Sequence, residues 1–299
     1  MKYIVPLCLF ILGSWLNAQD LVVPLYDGAI PNAIPNTIEE EIQMEDTVVR
    51  RIFKVKHPTI SIYKAKNTSN RSSAILICPG GGYTYLSFTP EGVDLAKWLQ
   101  NLGITGIVLK SRLPNDKMMT KKENVPLQDA QRAMELIREN AEDWNIDTKK
   151  VGVMGFSAGG HLAASLSTHH NEKQRPDFSV LIYPVITMDS TFTHMGSRKK
   201  LLGPNPTDEL VAEYSNEDHV DEQTPPAFLV HSADDTAVPF ANSVRFYENL
   251  IENGVKDSEL HVFQNGGHGY GMALRKEGNV AQWTQLLKNW LITNNWTKE

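Results

Sequence analysis

The chain has 299 residues, 41% of them apolar and 21% charged, a composition typical of a soluble globular protein with one substantial core. Its formal net charge of −6 indicates a mildly acidic surface, which argues against nucleic acid and anionic membranes as partners. We find no internal repeat and no low-complexity linker that would divide the sequence into separate domains.

The N-terminus has the pattern of a secretory signal peptide. A basic start is followed by an apolar run over residues 4–15 and by small residues around Ala18. That run is shorter than the roughly 20 residues needed to span a bilayer, so a retained anchor is the weaker alternative. We expect residues 1–19 to be removed, and the mature protein to be secreted or periplasmic without contact to a membrane. Loss of Cys8 then leaves Cys78 as a lone, buried cysteine.

The region after the signal peptide divides into an arm and a domain. Residues 20–46 are rich in proline, asparagine and acid, lack periodicity, and are predicted to form an extended N-terminal arm on the surface. Residues 47–299 are predicted to form one catalytic domain. Its first two strands, over residues 47–54 and 59–64, alternate in polarity and suit an antiparallel pair.

The rest of the chain alternates between short apolar strands and amphipathic helices. Strands are predicted at residues 73–78, 104–109, 151–154, 180–183, 227–231 and 259–263, and helices at 91–102, 161–166, 240–253, 283–291 and from Pro126 onward. This alternation predicts an α/β fold with a mostly parallel sheet covered by helices on both faces. The long irregular stretch over residues 184–226, with short helical pieces around 208–214, suits a cap.

Four stretches with functional character follow directly after predicted strands. They are residues 79–83, 155–160, 232–239 and 264–271. Because ligands of parallel sheets bind at the carboxyl ends of the strands, we expect these stretches to meet at one site.

The stretch at residues 155–160 reads Gly-Phe-Ser-Ala-Gly-Gly, between a strand and a helix. This is the nucleophile-elbow arrangement, in which a tight turn exposes a serine hydroxyl. Gly155 and Gly159 are expected because a Cβ at either position would clash with the turn. Ser157 is therefore the candidate nucleophile, and the Ala158 amide at the helix start is a candidate oxyanion donor. A glycine-rich turn without chemistry is the alternative.

A serine nucleophile needs a base, usually a histidine oriented by a carboxylate. His268 is the strongest candidate among nine histidines, because it lies on the glycine-rich loop after the last strand. Asp235, before a predicted helix, is the candidate carboxylate, and Asp234 is its competitor. A solvated loop histidine and a helix N-cap are the alternatives for His268 and Asp235. His161, beside the nucleophile, is expected to face the sheet or a hydrogen bond.

The second oxyanion donor is expected from the three glycines that follow the strand ending at Cys78. Glycine lets the backbone approach a substrate oxygen without obstruction. The amide of Gly82 is the first candidate and that of Gly81 the second. A phosphate-binding loop is the alternative, but neither G-x-x-x-x-G-K-[ST] nor G-x-G-x-x-G occurs here.

At this point the chain resembles the α/β-hydrolase serine esterases, and within them the secreted acetylxylan-esterase-like branch. The resemblance covers roughly residues 75–291 and is carried by the motifs at 79–83, 91–92, 155–161, 234–239 and 266–269. It implies the α/β-hydrolase fold, with Ser157, Asp235 and His268 at the triad positions. Pro79 departs from the wider lipase pattern, where many members have a histidine before the glycines.

The resemblance implies a serine carboxylester hydrolase that removes O-acetyl groups from xylan or xylo-oligosaccharides, so that the expected partner is an acylated saccharide. The chemistry requires no cofactor and no metal. A feruloyl esterase and a serine exopeptidase are alternatives with the same site, and a non-catalytic carbohydrate-binding protein is an alternative of another class. A metal-dependent deacetylase is disfavoured, since clustered ligand spacing such as H-x-x-x-H is missing from the sequence.

Overall fold

The computed structural model of the protein describes residues 20–66, 70–274 and 276–298, so the predicted signal peptide lies outside the described residues. The strands are β1 (Leu21–Pro24), β2 (Glu41–Glu45), β3 (Val48–Phe53), β4 (Thr59–Tyr63), β5 (Ser72–Cys78), β6 (Tyr85–Leu86), β7 (Thr105–Lys110), β8 (Ile146–Phe156), β9 (Ser179–Ile182), β10 (Ala227–Ser232) and β11 (Glu259–Phe263). The α-helices are α1 (Asp94–Asn101), α2 (Val125–Glu139), α3 (Ala158–Thr168), α4 (Met195–Leu202), α5 (Asp208–Glu213), α6 (Ala241–Glu252) and α7 (Trp283–Thr293).

The main sheet has eight strands in the order β1-β4-β7-β5-β8-β9-β10-β11. The six strands from β7 to β11 in this order run parallel, and β4 and β1 add an antiparallel edge. Every residue of β5 is buried, as expected for an apolar strand in the middle of a sheet covered on both faces. The predicted mostly parallel sheet is confirmed.

Helices cover both faces of this sheet. On one face, α1 and α7 pack through residues such as Leu95 and Trp283. On the other face, α2, α3 and α6 pack through residues such as Met134, Leu162 and Phe246, in a core cluster that also contains Cys78. The α/β fold is confirmed. No helix in the described ranges combines the length and the hydropathy needed to cross a membrane.

Residues 20–46, predicted as an extended arm on the surface, contain β1, which pairs with β4, and β2, which forms a hairpin with β3. One prediction for the N-terminal part is wrong. The strands predicted at residues 47–54 and 59–64 exist but do not pair with each other. Instead, β3 lies in a separate three-stranded sheet, in the order β2-β3-β6. The β2–β3 turn is tight, with Asp46 at a φ of 55°, and lacks the glycine that usually reveals such a hairpin.

The segment between β9 and β10 contains two α-helices and a short 3-10 helix. One α-helix is α5, where short helical pieces are expected, and the other is α4, which sequence analysis does not predict. The sequence of α4 carries no apolar stripe, since only Leu201 and Leu202 reach the hydrophobic core, so its periodicity gives no helical signal. Those two leucines pack with Tyr83 and Ala158, which places the cap against the elbow and the oxyanion segment.

Candidate active site

Ser157 lies on the sharp turn between β8 and α3, in a strained backbone conformation with φ 52° and ψ −119°. The turn can be this tight only because Gly155 and Gly159, two residues before and after Ser157, have no side chains. A Cβ on Gly155 would lie 2.1 Å from the carbonyl oxygen of Gly159, and one on Gly159 would lie 2.1 Å from that of Cys78. The strain therefore fixes the hydroxyl of Ser157 at the carboxyl edge of the sheet.

His268 lies beside Ser157, on the loop that follows β11. Its Nε2 is 2.8 Å from Oγ of Ser157, and its Nδ1 is 2.6 Å from Oδ2 of Asp235. The ring of Tyr183 holds the imidazole edge-on, with 4.9 Å between the ring centroids. The structure thus brings the three predicted residues into one continuous hydrogen-bonded chain.

Asp235 lies on the turn after β10 with a buried side chain. Its Oδ1 accepts hydrogen bonds from the amides of Ala237 and Val238, both at 2.9 Å. Burial alone would raise the pKa of this carboxyl, but hydrogen bonds from His231 and His268 outweigh burial and lower it well below its ordinary value. Asp235 therefore remains an ionised acceptor for His268.

Asp234, the competing candidate, does a different task. Its Oδ1 accepts hydrogen bonds from the amides of Gly266 and Gly267 at 2.9 and 2.8 Å, and therefore fixes the base of the loop that carries His268. Of the two adjacent aspartates, Asp235 therefore contacts the ring of His268, and Asp234 holds the backbone of the loop that carries it.

The oxyanion segment passes directly over the nucleophile. A Cβ on Gly80 would lie 3.1 Å from Cβ of Ser157, and Gly81 and Gly82 have φ values of 130° and 61°. The Gly80 amide donates to Glu91, whereas in the described residues no protein acceptor lies within hydrogen-bonding distance of the Gly81 and Gly82 amides. The segment therefore meets Ser157 at Gly80, and the amides of both predicted donors follow directly after that contact, while Ala158 starts α3 next to Ser157.

Glu91 is a functional candidate that sequence analysis missed as such. Its Oε2 accepts from the Gly80 amide at 3.0 Å, and its Oε1 accepts from the hydroxyl of Tyr183 at 2.8 Å. The Tyr183 oxygen in turn accepts from the Gly271 amide at 2.9 Å. Burial raises the pKa of Glu91. This single buried carboxyl thus connects the oxyanion segment to the loop that carries His268.

His194, at the start of α4, was also missed. Its Cε1 lies 3.6 Å from the position a Cβ on Gly82 would take, so the ring borders the oxyanion segment. Nδ1 accepts from the Ser197 amide at 3.2 Å, which leaves the hydrogen of the neutral ring on Nε2. Burial and the nearby His268 lower the pKa of His194. The ring is therefore a neutral donor at the edge of the site.

His161 is buried and takes no part in the chain of Ser157 and His268. Its Nδ1 is 2.8 Å from the hydroxyl of Tyr83, and its Nε2 is 2.8 Å from the carbonyl oxygen of Tyr214. Burial lowers its pKa to about 4. It connects the oxyanion segment to the cap, in agreement with the expectation that this histidine faces a hydrogen bond.

The fold and this arrangement define a class of protein. A serine on a strand–helix elbow, then an aspartate, then a histidine, each after a strand of one parallel sheet, is the chain order of the α/β-hydrolases. Residues 114–294 match the prolyl oligopeptidase family, and the chain belongs to this family.

The chain is similar to two curated proteins that act on xylan by name. It is 36% identical over 229 residues to an acetylxylan esterase of Xylanibacter ruminicola. The matched region covers 76% of this chain and 46% of that protein. It is 37% identical over 218 residues to the endo-1,4-beta-xylanase B of Butyrivibrio fibrisolvens, covering 69% of this chain and 34% of that protein. The chain therefore spans less than half the length of each of these two relatives.

A solved structure matches along nearly the whole chain. It is an acetyl ester-xyloside bifunctional hydrolase from Caldicellulosiruptor lactoaceticus, with a TM-score of 0.79 and 34% identity, covering 95% of this chain and all of that one. The predicted α/β-hydrolase fold and the resemblance to acetylxylan-esterase-like proteins are confirmed.

Proposed function

We propose that the protein is a serine carboxylester hydrolase that removes O-acetyl groups from xylan or xylo-oligosaccharides. The observation that carries this proposal is the hydrogen-bonded chain from Ser157 through His268 to Asp235, beside an oxyanion segment whose Gly81 and Gly82 amides have no acceptor among the described residues. This arrangement suits acyl transfer to a serine.

In the proposed mechanism, Ser157 Oγ attacks the ester carbonyl carbon while Nε2 of His268 takes the hydroxyl proton. The carbonyl oxygen becomes an oxyanion held by the amides of Ala158 and Gly82, a type of contact worth about 10²–10³ in turnover. The C–O bond to the sugar then breaks, and His268 returns the proton to the leaving alcohol. Water, deprotonated by His268, attacks the acetyl-serine and releases acetate.

The carboxylate of Asp235 has two roles in this sequence. It holds Nδ1–H of His268, which selects the tautomer whose Nε2 can accept a proton, and it stabilises the imidazolium that forms. Its own hydrogen bonds from the Ala237 and Val238 amides keep it charged throughout.

The choice of substrate rests on relatives. An acetylxylan esterase, a xylanase and an acetyl ester-xyloside hydrolase all match the chain, and all three names refer to xylan or its sugar. The signal-peptide pattern of residues 1–19 supports export to where polysaccharides are found. We therefore propose an acetylated saccharide as substrate and a secreted or periplasmic location.

Initial rates on three substrate classes test the proposal: acetylated xylo-oligosaccharides, methyl ferulate, and aminoacyl anilides. We expect release of acetate from the first class to exceed the other rates, and Ser157→Ala to abolish it while the far-ultraviolet circular dichroism stays unchanged. Faster turnover of methyl ferulate would favour a feruloyl esterase, and absence of turnover on all three would favour a carbohydrate-binding protein.

One observation favours a second candidate, a serine exopeptidase: the family that matches residues 114–294 is the prolyl oligopeptidase family. The same site would attack an amide carbonyl, with His268 giving its proton to a leaving amine. In the substrate panel above, hydrolysis of aminoacyl anilides faster than of the acetyl esters would select this candidate.

A further inference from the structure

A groove adjoins the candidate active site on the side of the cap. It has a volume of about 600 Å³, within the usual range for ligand sites, and lies between the oxyanion segment, the loop after β7 and the helix α4. Thr84 lines it and lies two residues beyond Gly82, and its hydroxyl donates to the Gly82 carbonyl at 3.4 Å. Gly196 lines the opposite wall and packs against His194. The groove thus begins where the oxyanion segment ends.

The charge of this groove is opposite to that of the chain. It is lined by Lys117, Lys122, Lys199 and Lys200 and by a single acidic residue, Asp116, although the chain as a whole carries −6. Asp116 is 2.5 Å from Nζ of Lys122 and neutralises that lysine. Four ammonium groups against one carboxylate make an anion the ligand that the groove favours electrostatically.

Three of the four lysines have no carboxylate partner in the part of the chain that the structure describes. In the described ranges, lysine ion pairs are formed by Lys54, Lys110 and Lys122 only. Lys117, Lys199 and Lys200 are exposed, so their side chains can reorient towards a ligand at low cost.

The helix dipole of α4 explains the positions of only two of the four lysines. Lys199 and Lys200 lie in the last turn of α4, where positive charge complements the helix dipole. Lys117 and Lys122 lie on the opposite wall, outside any helix, and gain nothing from that dipole. The two walls of the groove therefore both carry positive charge. They repel each other unless an anion lies between them.

We propose that this groove is a subsite for a sugar that carries a carboxylate, a uronic acid attached to the saccharide near the acetyl group. The proposal rests on the proposed function, since it assigns the neighbouring part of the same substrate. A carboxylate with adjacent hydroxyls fits both the lysines and the polar wall formed by Thr84 and Asn115. The esterase would thereby prefer acetyl groups close to an acidic branch over those on a neutral chain.

Binding of saccharides without an ester tests the subsite independently of catalysis. The probes are a xylo-oligosaccharide that carries one uronic acid and a neutral one of equal length, titrated by calorimetry. We expect the acidic probe to bind about tenfold more tightly than the neutral one at low salt, since three exposed ion pairs contribute little each. That preference should disappear in 0.5 M NaCl, because salt screens exposed charges.

The variant for this experiment is Lys117→Gln/Lys199→Gln/Lys200→Gln. Its matched control is Lys149→Gln/Lys173→Gln/Lys256→Gln, with the same loss of charge at exposed positions near the starts of β8, β9 and β11, away from Ser157. We expect the groove variant to lose the preference for the acidic probe and the control to keep it. Thermal melting of both variants separates loss of binding from loss of stability, since Lys199 and Lys200 also stabilise α4 through its helix dipole.

Three results would overturn the subsite: equal affinity of the wild type for both probes, an unchanged preference in the groove variant, or loss of the preference in the control variant as well. Failure of the proposed function gives a different result. In that case the wild type would release no acetate from acidic or neutral acetylated oligosaccharides, whatever the calorimetry shows.

Discussion

Nε2 of His231 lies 3.3 Å from Oδ2 of Asp235, and the same carboxylate oxygen contacts Nδ1 of His268 at 2.6 Å. His231 is buried on β10, where its Nε2 also lies 2.9 Å from the carbonyl oxygen of Val238. A carbonyl oxygen can only accept, so Nε2 carries a hydrogen and is a donor at this position. A second imidazole therefore supports the same carboxylate oxygen that contacts the candidate base.

We predict that His231→Phe lowers kcat about ten- to hundredfold with little change in KM, because the charged Asp235 loses one donor while substrate contacts remain. The measurement is steady-state hydrolysis of an acetyl ester. His261→Phe is the control, since His261 lies on β11 and its ring contacts Glu259 and Phe228 rather than the site. Wild-type kcat in His231→Phe would show that the contact at Asp235 has no role.

The lowered pKa of Asp235 predicts how stability depends on pH. A carboxyl whose pKa is lower in the folded state stabilises the fold fully above its unfolded value of 3.8, and this contribution is lost as the pH falls towards the folded value. The free-energy difference of unfolding between wild type and Asp235→Asn should therefore be constant above about pH 5 and shrink below about pH 4.

Urea unfolding followed by tryptophan fluorescence between pH 3 and pH 7 measures that difference. A difference that stays constant or grows on acidification contradicts the account of the Asp235 hydrogen bonds. The same variant should lose about 10³–10⁴ in kcat, because His268 would no longer be held in the required tautomer.

The buried carboxyl of Glu91 should matter for the position of the oxyanion segment. We predict that Glu91→Ala lowers kcat about a hundredfold, since the Gly80 amide loses its acceptor and the adjacent oxyanion donors shift. Glu91→Gln should keep activity within about tenfold, because its amide oxygen can accept from Gly80 while its NH₂ group faces the Tyr183 oxygen.

The rate of serine labelling by a fluorophosphonate, measured with melting temperature, separates positioning from folding in these two variants. Equal loss of labelling in a folded Glu91→Gln and a folded Glu91→Ala would mean that the charge, and not the hydrogen bond to Gly80, is what the site requires.

His194 should act on the sugar rather than on the ester. We predict that His194→Asn raises KM for acetylated xylo-oligosaccharides about three- to tenfold through loss of the Nε2–H donor beside Gly82. Asparagine is a good N-cap, so α4 should still begin at Met195, and 4-nitrophenyl acetate, which has no sugar, should be hydrolysed with a nearly normal KM. An unchanged KM for the oligosaccharides would exclude this role.

How much of this could be predicted from the sequence depends on whether a residue has a local signal. Ser157 has one, because its turn requires glycines two residues before and after it. A Cβ on Gly155 would lie 2.1 Å from the carbonyl oxygen of Gly159 in the same turn, and a Cβ on Gly159 would lie 2.1 Å from that of Cys78 on the neighbouring strand β5. His268 has a weaker signal in its glycine-rich loop, and the parallel sheet then brings both residues to one edge. The strands and helices from Ser72 onward likewise follow their own periodicity, with the exceptions of α4 and the two-residue strand β6, which the sequence does not predict.

The residues that were missed act through contacts that no local pattern records. An acidic residue just before a helix, such as Glu91, is ordinary because the helix dipole favours it, so its contact with Gly80 and Tyr183 leaves no distinguishing signal. His231 has the appearance of a core histidine within a strand. His194 lies in the segment between β9 and β10, where the sequence shows no periodic pattern. β1 has only four residues, too few for an alternating pattern to stand out, and its partner β4 lies about 40 residues further along the chain.

Labelling with a fluorophosphonate, followed by peptide mass spectrometry and an esterase assay, tests the central claim most directly. The account predicts one adduct per chain, on Ser157, with ester hydrolysis lost in proportion to labelling, and no adduct when His268 is replaced by alanine. Full hydrolysis in a protein labelled completely at Ser157, or an adduct that accounts for the inhibition on another residue, would contradict it.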